Sequence, residues 1–305
     1  MSERHGFKCK ARLAHELLIP RRSRLVGARK PMLRISQTGI NSATRELSVI
    51  SNNLANAMTS GFKRSMAQFS EVSGASLAAR PGSETGQGTV TMEVRRSVQQ
   101  GNMQNTDKAL DLAINGAGFF TFGDPNAQTG SEPVYSYSRS GSLSISAAGN
   151  LIDQSGAPLL GVPVSGGTVG GDPQPINLSR AVGGDFSKVQ SINVDPKGTV
   201  SMTLAGGKIV QVAAVTIANF RNVDGLKSSS GTKLSETGAS GPPEFSRATY
   251  NGVGDIKQGT LEGSNVDLTN EMLRMIQSQQ AYNGNARALQ TGSEMLKSTI
   301  ENLGR

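Results

Sequence analysis

The sequence predicts an α+β protein with long N- and C-terminal helices paired as a coiled coil and a mainly β central domain. Near each end, apolar residues recur in alternating steps of three and four. Between them, short stretches alternate apolar and polar and are broken by Gly- and Asn-rich turns. The two periods, close to 3.5 and equal to 2, separate helix from strand.

The first stripe is Ile40, Ala43, Leu47, Ile50, Leu54 and Ala57, with Asn41, Arg45, Glu46, Ser48 and Asn52 elsewhere around the helix. A helix is predicted from near Ser36 to Thr59-Ser60-Gly61, where Gly61 suits a C-terminal stop. The second stripe is Leu268, Met272, Met275, Gln279, Tyr282, Ala286, Leu289, Ser293, Leu296, Ile300 and Leu303. It predicts a helix over about 267–303, roughly 55 Å long. Asp267 or Thr269 can cap its start, and Glu271 suits the positive end of its dipole.

A strict heptad period implies a supercoiled seam. Ala, Gln, Ser and Met hold many of its places, so isolated pairing is marginal and many subunits are needed to hold it. Periodicity alone also allows both helices to pack on their own domain.

The middle reads as β structure over Thr89–Val98, Ala113–Phe122, Val134–Ile145, Ser191–Leu204 and Ile209–Phe220. Two hairpins are predicted. One crosses Ala147–Asn150 and the other Ala205–Gly207. Ser165–Asp172 and Ser228–Gly254, rich in Gly, Ser, Thr and Pro, read as loops or small-domain junctions.

The net charge of +8 is concentrated in the leader, where nine Lys or Arg precede Pro31 against only Glu3 and Glu16. The rest is nearly neutral, unlike a nucleic-acid binder with its basic patch on the folded body. Residues 1–31 are expected to be a disordered basic leader or to precede a true start at Met32. A targeting or anionic-surface role is the other reading, although Leu17-Leu18-Ile19 is too short for a secretory core. Both histidines and the single cysteine, His5, His15 and Cys9, lie in that leader. The body therefore has no Ser-His-Asp or Cys-His arrangement, no His/Cys metal site and no disulfide framework. Gly116-Ala117-Gly118 lacks the Lys-Ser/Thr of a phosphate loop, and Asp107, Asp111 and Asp124 lack calcium-loop spacing. No catalytic, cofactor or metal residue is assigned, and no apolar run approaches a membrane span.

Ile35-Ser36-Gln37-Thr38-Gly39-Ile40, followed by Ser51-Asn52-Asn53-Leu54-Ala55-Asn56 and Thr59-Ser60-Gly61-Phe62-Lys63-Arg64-Ser65, resembles the N-terminal signature of bacterial flagellar rod and hook proteins. Met58 stands where that family usually has Asn. Gln100-Gly101-Asn102, Ala109–Phe120 and Ser138-Arg139-Ser140-Gly141-Ser142 resemble its central motifs. Leu261-Glu262-Gly263-Ser264-Asn265-Val266-Asp267-Leu268 leading to Met275–Tyr282 resembles its C-terminal signature, with Gln280 for the usual Arg. The motifs stand in the family's order and cover most of 32–305.

The resemblance implies a structural subunit, not an enzyme, exported by the flagellar type III apparatus without a cleaved signal peptide. Its implied partners are copies of itself in a helical tube, neighbouring rod or hook proteins, a hook or rod cap, and the export apparatus. Residues 32–61 and 266–305 are then a polymerisation domain. Residues 62–265 are a β-rich central domain, with a small sub-domain at about 165–215. The expected assembly interface is Ile40, Leu47, Ile50, Leu54, Leu268, Met272, Met275, Tyr282, Leu289, Leu296 and Ile300. Asn52, Asn53, Asn56, Gly61, Phe62, Asn265 and Val266 are the family-motif residues, and Asn52, Asn53 and Asn56 are candidates to cap the helix end.

The short middle suits a proximal or distal rod protein. Asn265-Val266-Asp267-Leu268-Thr269 and Val215–Phe220 before Val223-Asp224-Gly225-Leu226 favour a hook protein. A short hook protein is the expectation, with the rod as its rival. A secreted cell-wall glycan hydrolase and an adhesin-like binding module are the alternatives from other classes.

Overall fold

The computed structural model describes residues 30–73, 86–123, 135–165, 168–169, 173–183, 189–250 and 252–303. The expected leader lies outside these residues, except that a helix already includes Lys30. Asp124 and most of Ser165–Asp172 also lie outside them. The described α-helices are α1 (Lys30–Ala55), α2 (Leu178–Val182) and α3 (Leu268–Leu303). The chain divides into two units. One comprises Met1–Ser48, Ala67–Glu93 and Met275–Arg305, and the other Val49–Met66 and Val94–Arg274.

In the first unit, α1 turns Ser36 and Ala43 fully inward, with Gly39, Ile40 and Leu47 half-buried beside them. That is the expected face, although the helix begins more than a turn before Ser36. The C-terminal helix differs. Its inward line is Ser278, half-buried Asn285 and Gly292, with Met275, Leu289 and Leu296 half-buried alongside. A Cβ on Gly292 would lie 3.0 Å from Leu33 Cδ2, and one on Gly39 would lie 2.7 Å from the Asn285 side chain. These approaches run in opposite chain senses, so the helices are antiparallel here, and small residues set how closely their backbones come. The inward face is thus rotated off the predicted heptad line towards small and polar residues, leaving Ile276 and Ile300 exposed.

Strands Ser65–Ser73 and Gly86–Arg96 form a two-stranded sheet. Within the first unit Thr89 N–H donates to Thr38 Oγ1 at 3.3 Å, and the Ser42 and Thr89 hydroxyls are 2.8 Å apart. The second strand was expected from about Thr89. The first was not, because its Gln68, Ser70 and Glu71 obscure the alternation.

In the second unit, strand Ile209–Asn219 is the spine of an antiparallel sheet of eleven strands among the described residues. Thr199–Leu204 and Leu160–Ser165 pair with its first half. Phe119–Phe122 and Glu244–Arg247 pair with its second half. Phe119–Phe122 continues the sheet to Ser136–Ser138, which pairs with Leu234–Ser235. Both predicted hairpins are present. Ser144–Ile145 pairs with Leu151–Ile152, and Leu204 N–H donates to Lys208 O at 2.9 Å.

The expected single strand Ala113–Phe122 is two. Gly116 and Gly118 hold φ of +125° and +117°, values that favour glycine. Leu112–Asn115 therefore pairs with Asp255–Gln258, while Phe119–Phe122 joins the main sheet. The apparent loop Ser228–Gly254 contributes two short strands, and Thr260–Glu262 pairs with Met103–Asn105.

The larger core gathers Leu112, Ile114, Phe120, Phe122, Leu151, Leu159, Ile176, Leu178, Met202, Val215 and Ile217. A smaller aromatic cluster contains Phe119, Tyr137, Phe220 and Leu234. Its Tyr137 and Phe220 rings meet edge-on with centroids 4.8 Å apart.

Candidate functional site

The chain leaves α1 through a turn ending at Gly61, which holds φ +71°. Gly61 N–H donates to the backbone oxygen of Glu262 at 2.7 Å. A Cβ there would strike the backbone of Arg139 and Ser140. The helix itself stops at Ala55, short of the expected Thr59-Ser60-Gly61 stop, so this left-handed, crowded position shapes the turn that follows the helix and not its end.

Asn53, fully buried on the last turn of α1, spans the turn. Its Nδ2 donates to Ser65 O at 2.8 Å and its Oδ1 accepts from Ser65 N–H at 2.9 Å. The same Nδ2 lies 3.2 Å from Glu271 Oε2, on the first turn of α3. Glu271 is fully buried and also accepts from Arg64 Nε. Its carboxylate sits where the helix dipole is positive. Asp267 caps the same helix, accepting from Thr269 N–H at 2.9 Å and Asn270 N–H at 3.2 Å. The Asn270 N–H first, then the other hydrogen bonds and Arg64, hold its carboxyl below the usual carboxylate range.

A second buried carboxylate, Glu262, accepts from Lys63 Nζ at 2.6 Å, from Arg139 NH1 at 3.2 Å and from Gly101 N–H at 3.0 Å. Lys63 also donates to Gln99 O at 2.7 Å, and Arg139 to Gly116 O at 2.7 Å. Burial pulls the Lys63 and Arg139 pKa values down, and Glu262 pulls each back up. Asn265 closes the knot. It accepts from Arg64 N–H at 2.7 Å and donates to Ser97 O and Gln99 O at 3.1 and 2.9 Å.

The arrangement joins the end of α1, the segment after it, the Ser97–Gly101 stretch, the Arg139 turn and the start of α3. Each carboxylate is matched to a cation and hydrogen-bonded, which is what buried charge requires. It fastens chain segments together. Among the described residues no group of three or more His, Cys, Asp or Glu could hold a metal. No described helix is long and apolar enough to cross a membrane.

Of the expected motif residues, Asn53, Gly61 and Asn265 meet in this knot, and the half-buried Val266 follows it. The Phe62 side chain is buried and its backbone oxygen accepts from Asn265 N–H. Asn56 bonds locally to Asn52 O and Thr59, and Asn52 is exposed. Of the expected interface residues, Ile50 is fully buried. Ile40, Leu47, Leu54, Met275, Leu289 and Leu296 are half-buried. Leu268, Met272, Tyr282 and Ile300 are exposed. Sequence reasoning missed the partnership of Lys63, Arg139 and Glu262. A charged residue inside each of three motifs was the available signal.

Three family models match in chain order. They are flagella basal body rod protein over residues 33–63, flagellar hook protein FlgE/F/G D1 domain over 113–202, and flagellar basal body rod FlgEFG protein C-terminal over 257–303. The flagellar basal-body rod protein FlgG of Buchnera aphidicola subsp. Acyrthosiphon pisum is 33% identical, with 88% of this chain and 97% of the relative covered. The protein of the same name in Agrobacterium fabrum is 32% identical, over 89% of this chain and 98% of its own. The counterpart in Buchnera aphidicola subsp. Schizaphis graminum is 32% identical, over 88% and 97%.

The chain belongs to the flagellar hook and basal-body rod family.

This is a family of structural proteins and not of enzymes, so the hydrolase reading falls. An axial structural role in the flagellum follows. The rod alternative fits these relatives better than the short hook protein that was expected. These relatives are named as rod proteins and are matched nearly end to end. The residues that favoured a hook have other duties. Asn265 and Asp267 tie and cap the start of α3, and Val215–Phe220 lies in the spine of the sheet.

Proposed function

We propose that this chain is a rod subunit of the flagellar axial structure, polymerising with copies of itself through α1 and α3 paired as a coiled coil. The observation that carries rod over hook is the match to rod proteins across 97 to 98% of their length. Self-assembly is supported by what α3 leaves uncovered. Leu268, Met272, Leu273, Ile276 and Ile300 are exposed, with Ile300 at 69%. Apolar area buried against neighbouring copies contributes about 25 cal/mol per Å². Many weak seams therefore add up where one would not hold.

The reading extends to type III export without a cleaved signal peptide and to end contacts with neighbouring rod or hook proteins and a cap. Electron microscopy of basal bodies from a strain lacking this chain tests it. Basal bodies without a completed rod are expected. A complete rod lacking only its hook would overturn the assignment.

A further inference from the structure

A small cavity beside the buried knot is lined by Lys63, Arg96 and Arg139, together with Phe62, Phe119 and Thr232. Its charge is out of balance. Glu262 answers both Lys63 and Arg139, while the side chain of the half-buried Arg96 has no hydrogen-bond or ion-pair partner among the described residues. Burial alone pulls the Arg96 pKa down, with no neighbouring carboxylate raising it. Arg139 is 6% exposed, and its Nε is a buried donor without an acceptor. The rest of that guanidinium is occupied by Ile114 O, Gly116 O and Glu262, and Phe119 lies 5.2 Å below it. Thr232 Oγ1 accepts from Ser138 Oγ at 3.3 Å, which leaves its own proton to donate.

Buried donors without acceptors and cations without counter-charge are expensive unless something supplies both. The cavity measures about 10 Å³, close to the room taken by one water-sized particle. We propose that it binds one small monoatomic anion of the chloride type, held by the guanidinium groups of Arg96 and Arg139 and the Thr232 hydroxyl. A neutral water would accept the same hydrogen bonds but leave the positive excess uncompensated. A polyatomic oxyanion is too large for the space.

Full-length protein is tested by thermal unfolding in sodium bromide against sodium gluconate at constant ionic strength, and by anomalous diffraction from crystals grown in bromide. The expected result is a saturable rise in Tm of a few degrees with bromide, and an anomalous peak beside Arg96 and Arg139. R96Q should lose the saturable rise, and R96K, which keeps the charge, should retain part of it. If R96Q does not fold, the anomalous peak in the unaltered protein still decides. An empty cavity in bromide-grown crystals, or an undiminished bromide response in R96Q, overturns the proposal.

Discussion

Asn53 on the last turn of α1 donates to Glu271 on the first turn of α3, at 3.2 Å and across 218 positions of sequence. Neither residue reaches solvent. The amide is suited to this place because it donates to a carboxylate while accepting from Ser65 N–H.

Asn53→Leu is therefore expected to destabilise the protein by about 2–3 kcal/mol, since it leaves the Ser65 backbone and one side of Glu271 unsatisfied. Urea midpoints measure this. A midpoint within error of the unaltered protein would show that the bridge adds nothing.

Glu262→Gln removes the shared counter-charge of Lys63 and Arg139. The expected cost is about 3–5 kcal/mol, the range for breaking a buried pair from one side. In a double-mutant cycle, Lys63→Met should recover part of that loss. Strict additivity would mean the two side chains do not interact.

The same pair sets an alkaline pH dependence. Burial holds the Lys63 pKa below its ordinary 10.5 in the folded protein. The unfolded chain therefore binds more protons between the two values, and stability contributed through Lys63 rises with pH up to about 10.5. Glu262→Gln removes the attraction that raises the Lys63 pKa, so the rising window should move towards neutral pH. Lys63→Met should flatten it. Urea midpoints followed from neutral pH to 10.5 report both changes, and identical slopes in all three proteins would exclude Lys63 as the titrating group.

Gly61→Ala must hold a side chain at φ +71° and press it against Arg139 and Ser140. The left-handed conformation alone costs roughly 1–2 kcal/mol, and the crowding adds to it. Thermal unfolding should show a clear fall in Tm, whereas Gly183→Ala, at φ +68° with open space around it, should show less. Equal falls would mean that crowding at Gly61 is relieved by a backbone shift.

Exposed and buried apolar residues of the helices should respond differently to a charge. Met272→Asp and Ile300→Asp lie on exposed positions and should change subunit stability by no more than about 0.5 kcal/mol while blocking polymerisation. Ile50→Asp should unfold the subunit instead, because that side chain is buried. Leu54→Asp and Leu289→Asp, at half-buried positions, should weaken both properties. Sedimentation and negative-stain microscopy separate the outcomes. Normal polymers from Met272→Asp and Ile300→Asp would remove α3 from the assembly seam.

How far the sequence was legible follows from which signals are local. The boundaries of α3 were readable because an Asp cap and an unbroken apolar period lie within one segment. The break at Gly116 was not, since a glycine inside an apolar run does not show that its two sides join different sheets. The inward face of α3 was misplaced for a related reason. Ser278 and Gly292 face inward because they are small, and hydrophobic periodicity does not register small residues. The buried charges were least visible. Lys63, Arg139 and Glu262 each read as an ordinary surface residue until the chain brings them together.

Glu262 has a kinetic consequence as well. Lys63 and Arg139 lie far ahead of it in the chain, separated by 199 and 123 positions. Until the Glu262 segment is in place, both cations would have to be buried without an opposite charge, so they stay in water. The segment after the first helix is thus fastened by a residue 199 positions further along, and contacts of such long range close slowly. A chain cut short before Glu262 would keep this junction open, so its closure requires the chain as far as Glu262.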